Sequence, residues 1–156
     1  MKTWGSAAAA WCALFAALHV YWALGGSAGL AESAGADLAA HRPAWFVLGG
    51  LWGVAAVLLV GAWTCLDLTQ RWRRLLALLG GAVLLGRGLV VEIALLTTDL
   101  PHQVGERQTR WSLWLWNPWF VLGGVLVLAA YLSTRSKLSG TGGGSASVPA
   151  RNASSR

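Results

Sequence analysis

Trp45-Phe46-Val47-Leu48-Gly49-Gly50 recurs unchanged as Trp119-Phe120-Val121-Leu122-Gly123-Gly124, at an offset of 74 residues (Trp45 to Trp119). Each copy stands within two residues of a proline, Pro43 or Pro118, and heads a long apolar run. Six identical residues in register divide the chain into two similar halves, each a pair of apolar segments. The expected architecture is an all-α polytopic membrane protein: four transmembrane helices arranged as two tandem helical hairpins, a parallel internal repeat.

Composition agrees. Of 156 residues, 56% are hydrophobic and only 12% charged, where a soluble domain carries roughly 25% charged residues. Spanning helices are expected at about 4–26, 44–66, 75–97 and 113–133, each near the ~20 apolar residues that a bilayer crossing needs. A soluble helical core is excluded, because its helices would alternate apolar with polar faces. A membrane barrel is excluded by the absence of period-two alternation. The initial apolar run is read as the first spanning helix and not as a cleaved leader, because His19, Tyr21 and Trp22 interrupt it and its loss would break the symmetry. Residues 1–138 thus form one transmembrane domain. Residues 139–156, rich in Gly and Ser and made basic by Arg151 and Arg156, are expected to be a disordered tail.

The net charge of +6 could suggest a nucleic-acid partner, but its placement argues against one. Lys2, Arg71, Arg73, Arg74, Arg135, Lys137, Arg151 and Arg156 flank the expected spans on one side. The opposite connections hold Arg42, Arg107 and Arg110 beside Glu32, Asp37, Asp99 and Glu106. By the positive-inside rule the N- and C-termini and the middle loop are cytoplasmic, in a multi-pass protein of the cell membrane. The surrounding partner is the lipid bilayer. The bias toward Arg, Ala and Gly, with ten Arg against two Lys, points to a GC-rich bacterial source.

Every expected helix carries a glycine doublet. Gly49, Gly50, Gly123 and Gly124, inside the repeat, are assigned to close helix packing. Ala9, Ala13 and Ala17 offer a similar small-residue stripe on helix one. Most tryptophans fall at the two interfaces as an aromatic belt, while Trp11 and Trp52 lie deeper and need packing partners. Cys12 and Cys65 are assigned to packing, their depths differing by roughly 10 Å on a simple count at 1.5 Å per residue.

Three ionisable residues fall inside the spans: His19, Arg87 and Glu92. Such groups are costly in hydrocarbon and turn toward a bundle interior or a cavity. At the 74-residue offset Glu92 corresponds to Leu18, so His19 and Glu92 stand at nearly equivalent places in the two halves. Trp11, Phe15, His19 and Trp22 share one face of helix one, and Gly81, Leu85, Gly88 and Glu92 share one face of helix three. A buried polar cluster or ligand-binding pocket is therefore expected in the outer half, lined by His19, Trp22, Arg87 and Glu92. Arg87 and Glu92, five residues apart, are not spaced as a same-helix pair. No metal site is expected, since His41, His102, Asp99 and Glu106 lack ligand spacing. No cofactor can be assigned, and no catalytic motif appears.

The string His19-Val20-Tyr21-Trp22-Ala23-Leu24-Gly25-Gly26, with Gly86-Arg87-Gly88 and Asn117-Pro118 leading into the second hexapeptide, resembles a bacterial membrane-protein family. It is the family filed as domain of unknown function 3995, common in actinobacteria. The likeness spans about residues 4 to 133. It implies four helices and a bacterial membrane, and no activity.

The first functional reading is a small binding or transport-like protein for an unidentified small molecule. Four helices enclose little space, so transport would call for a homodimer. The second is a structural or accessory membrane protein with a Trp-rich outer face. A small intramembrane enzyme acting on a lipid or quinone ranks third, since no electrophile-stabilising set accompanies His19 and Glu92.

Overall fold

The computed structural model describes residues 3–98 and 105–140, with side chains up to residue 135. Among the described residues it is all-helical, without strands. Helix α1 (Thr3–Ala23) is followed by two short helices, α2 (Leu30–Ala34) and α3 (Ala36–His41). A wide π-helical segment (Phe46–Gly53) leads into α4 (Val54–Leu66), and α5 (Arg71–Thr97) returns after a tight turn. Helix α6 (Glu106–Trp111), a second π segment (Ser112–Trp116) and α7 (Asn117–Gly140) run on as one rod. Among the described residues four helices are long and apolar enough to cross a membrane: Thr3–Ala23, Phe46–Leu66, Arg71–Thr97 and Glu106–Arg135. The chain is a multi-pass membrane protein.

Two boundaries differ from the expected spans. The third helix begins at Arg71, four residues before the expected start at Leu75, so the basic cluster Arg71, Arg73 and Arg74 is helical. The fourth begins at Glu106, and Asn117, which reads as a helix N-cap, lies inside a continuous helix with φ −67° and ψ −47°. Proline explains the second case. Pro118 has no N–H and its ring crowds the carbonyl four residues back. A widened turn at Ser112–Trp116 relieves the conflict without ending the helix. The outer segment 99–104, with Asp99 and His102, and the tail from residue 141 lie outside the described residues.

Helix α1 packs chiefly on α4, and α5 chiefly on α7. Between these pairs, α1 meets α7 more extensively than α4 meets α5. The π segment before α4 packs on α1 and hardly touches α5. The outer half of α5 is therefore flanked mainly by the fourth helix, and much of its surface faces outward.

The α1–α4 contact uses small residues in a different register from the expected one. Ala8, Cys12 and Ala16 are buried; of the expected stripe Ala9 is buried too, whereas Ala13 and Ala17 are exposed. A Cβ added at Gly5 would meet the Cys65 carbonyl oxygen at 2.6 Å. The alanine-rich stretch offers four-residue spacing in several registers, and periodicity alone does not choose among them. Cys12 and Cys65 are nevertheless neighbours, both buried and not joined in a disulfide. The depth count that kept them apart omits side-chain direction. On antiparallel helices each Cα–Cβ bond tilts toward its own N-terminus, which brings these two sulfurs together.

Candidate functional site in the outer half of the bundle

Glu92 and Arg87 leave α5 on two flanks of its buried face, and one residue of α7 reaches both. The Asn117 Nδ2 donates to Glu92 Oε2 at 2.8 Å, and Arg87 Nη1 donates to Asn117 Oδ1 at 3.4 Å. This arrangement sets the amide orientation, because a carboxylate accepts only from N–H and a guanidinium donates only to oxygen. Asn117 is 1% exposed. It fits there because Gly88 faces it: a Cβ on Gly88 would lie 3.0 Å from the Asn117 carbonyl oxygen and 2.7 Å from Val121. The Gly81, Leu85, Gly88 and Glu92 face read from the sequence is thus the face of α5 that meets α7.

Arg87 differs from its partners. It is exposed midway along a spanning helix, its guanidinium 5.1 Å from the Phe120 ring centroid. Asn117 takes one of its five N–H donors, and among the described residues no carboxylate forms an ion pair with it.

His19 belongs to a different neighbourhood. Its Nδ1–H donates to the Phe15 carbonyl oxygen at 2.9 Å, which leaves Nε2 as the acceptor nitrogen. Its ring packs edge-on against Phe15 at 4.6 Å and Trp22 at 5.1 Å. The stripe continues across α1 and α7, with Trp11 on Trp119 at 5.5 Å, Phe15 on Phe120 at 5.5 Å and Trp22 on Trp116 at 5.7 Å. The structure therefore brings Arg87 and Glu92 together through Asn117, and His19 together with Trp22. No hydrogen bond or ion pair joins His19 to Glu92. Phe120 is the link between the two groups, touching Phe15 on one side and Arg87 on the other.

The four repeat glycines also separate. A Cβ at Gly123 would strike the Trp11 ring at 2.3 Å, and one at Gly124 would meet Leu85 at 2.6 Å and the Gly81 carbonyl oxygen at 3.0 Å. These two glycines permit close helix approach. Gly50 meets only the Phe46 ring of its own helix, and Gly49 has nothing within 4 Å. Among the described residues Gly49 has no packing partner, and Trp52 beside it is exposed.

Arg42 caps the end of helix one, a role the sequence did not disclose. Its guanidinium donates to the carbonyl oxygens of Trp22 at 3.0 Å and Gly26 at 2.5 Å, groups that a helix C-terminus leaves without partners. Trp22 Nε1 donates to the Ala28 carbonyl oxygen at 2.7 Å, so Trp22 anchors the outer loop. Arg107 and Glu32 join α6 to α2 by an ion pair of 2.6 Å. A cavity of about 300 Å³ beside it is bordered by Ala31, Ala36, Gly105 and Gln108.

At the turn between α4 and α5, Arg73 donates to the Asp67 carbonyl oxygen and carboxylate and lies 3.8 Å from the Trp63 ring centroid. Hydrogen bonds from the Thr69 hydroxyl and backbone N–H, reinforced by Arg73, hold the Asp67 carboxyl below its usual range. Among the described residues, no three His, Cys, Asp or Glu side chains are grouped to hold a metal ion.

The family described as protein of unknown function (DUF3995) matches residues 12–127. The chain belongs to that family. The matched stretch includes His19, Arg87, Glu92 and Asn117. No curated protein and no solved structure matches the chain.

Proposed function

We propose that this chain is a small-molecule-binding protein of the bacterial cell membrane, with both termini cytoplasmic and a ligand contact at Arg87 in the outer half. The observation that carries this reading is the guanidinium itself. It is exposed on a spanning helix, fixed by Asn117 and Phe120, and has four N–H donors to spare. A cation on an apolar membrane face is costly and tends to mark a functional contact. Glu92 and Asn117 position it, while His19 and Trp22 form the neighbouring aromatic wall.

The full chain purified in mild detergent is expected to retain a small molecule, visible by native mass spectrometry. Arg87→Gln should release it while leaving the melting temperature close to that of the parent. A parent sample without any retained molecule, or a molecule equally retained by the variant, defeats the reading. The same spectra report whether the chain is a homodimer, the state that transport would require.

The topology is tested by labelling single cysteines in intact cells. Ala40→Cys should react with an impermeant thiol reagent from outside, and Gln70→Cys should not. The reverse pattern overturns the orientation.

A second reading, an accessory protein docking through its outer aromatic face, draws on the exposed Trp45, Trp111 and Trp114. It predicts co-purification of another protein that survives Arg87→Gln and is lost on Trp111→Ala with Trp114→Ala.

A further inference from the structure

Resting on the binding reading, we infer that Arg87 holds the phosphate of an anionic phospholipid of the outer leaflet, whose acyl chain lies along the exposed face of α5. Depth is the first argument. Arg87 stands thirteen residues beyond Arg74, about 20 Å along the helix, within a hydrocarbon layer of about 30 Å. Its partner Asn117 lies eighteen residues from Arg135, about 27 Å up the fourth helix. Gly88, next to Arg87, faces the Asn117 carbonyl, so the guanidinium that donates to Asn117 stands at the inner edge of the aromatic stretch Trp111–Trp116. Long basic side chains place their heads at the interface in this way.

Charge is the second argument. Asn117 is neutral, and it engages the Glu92 carboxylate with its own N–H. Arg87 gains geometry from this partner and no countercharge. Phe120 covers part of the guanidinium, and Arg87 as a whole is exposed. A planar guanidinium with free parallel N–H groups matches a phosphate in bidentate fashion.

Shape is the third. Val83 and Leu76, four and eleven residues before Arg87, share its exposed face. Gly86 beside it has nothing within 4 Å of an added Cβ. The π segment Phe46–Gly53 hardly touches α5. A chain lying along Leu76 and Val83 would reach Arg87 with its head and would not need to enter the closed α1–α7 interface.

The test uses the full chain in neutral detergent, titrated with dioleoylphosphatidylglycerol and read by native mass spectrometry. Arg71 and Arg74 also attract anionic lipid, so the titration is repeated on an Arg71→Gln, Arg74→Gln background. On that background the first lipid adduct should persist. Arg87→Gln should weaken it about tenfold or more, the loss of one charged hydrogen-bonding contact, and Arg87→Lys should weaken it less. Dioleoylphosphatidylcholine and glycerol 3-phosphate should not displace it. An adduct indifferent to Arg87→Gln overturns the inference, as does displacement by glycerol 3-phosphate, which would identify a soluble anion. A dimer that excludes the lipid and dissociates on Arg87→Gln would assign the guanidinium to a second copy's carboxylate, and also overturns it. Should Arg87→Gln not fold, as judged by its melting transition, the ratio between parent and Arg87→Lys decides: equal binding of phosphatidylglycerol and phosphatidylcholine by both defeats the proposal. A retained, Arg87-dependent molecule that is not an anionic lipid sinks this inference alone. Absence of any Arg87-dependent molecule removes the binding reading as well.

Discussion

Gly123 receives the indole of Trp11, whereas Gly49, its counterpart in the first copy of the hexapeptide, has no atom within 4 Å of an added Cβ. Trp119 stacks on Trp11, while Trp45 is 67% exposed. The first copy winds largely as a π-helix, and the second opens a regular α-helix. Identical residues therefore occupy different environments, and the cause lies in what flanks them. At the 74-residue offset Asn117 corresponds to Pro43, Arg87 to Ala13 and Glu92 to Leu18. The polar group that joins α5 to α7 has only apolar counterparts in the first hairpin. The aromatic face of α1, in turn, packs on the second copy. A repeat supplies two similar helix surfaces, and the surrounding residues decide which becomes interior.

The largest expected effect tests this contrast directly. Gly123→Leu should destabilise the chain by about 1–3 kcal/mol, because the added side chain must displace the Trp11 ring. Gly49→Leu should stay within about 0.5 kcal/mol, as surface changes do. Melting transitions in detergent measure both. Equal losses would break the contrast and would mean that Gly49 has a partner that a single chain does not supply.

A smaller effect is expected at the polar group. Asn117→Leu leaves the Glu92 carboxylate without its donor, and should cost about 1–2 kcal/mol, near the upper end for interhelical hydrogen bonds in membranes. Asn117→Leu combined with Glu92→Leu should recover part of that loss, since the penalty arises from an unpaired polar group. His19→Leu and Glu92→Leu, by contrast, should be nearly additive in a double-mutant cycle. A coupling between His19 and Glu92 above about 0.5 kcal/mol would contradict the separation of the two groups.

The four spans were legible because long apolar runs and an asymmetric placement of arginines are properties of composition, which tertiary packing does not alter. The helical faces of His19 and Glu92 were legible for the same kind of reason, since a 3.6-residue period fixes them. Their partners were not. Depth along two helices gives no azimuth of one helix against another, so matched heights for His19 and Glu92 did not imply contact. Asn117 was hidden by its proline: Asn-Pro is also the signature of a helix start, and only the π segment before it keeps the helix continuous. The Cys12–Cys65 contact was hidden by side-chain tilt. Arg42 was hidden because its acceptors are backbone carbonyls, which carry no sequence signal.

The smallest effect concerns the joint between the hairpins. Asp67 lies in the turn between α4 and α5, and Thr69, then Arg73, hold its carboxyl below the usual range. A carboxyl depressed on folding stabilises the folded state above its unfolded pKa of about 4. That contribution disappears as pH falls through the lower, folded value. Asp67 is exposed, so the loss should be slight. It should appear as a drop in melting temperature below about pH 4 that Asp67→Asn lacks. If the hairpins owe their difference to their own flanks and not to this joint, the gap between Gly123→Leu and Gly49→Leu should be the same on either side of that transition. A gap that closes in acid would place the cause of the asymmetry in the turn.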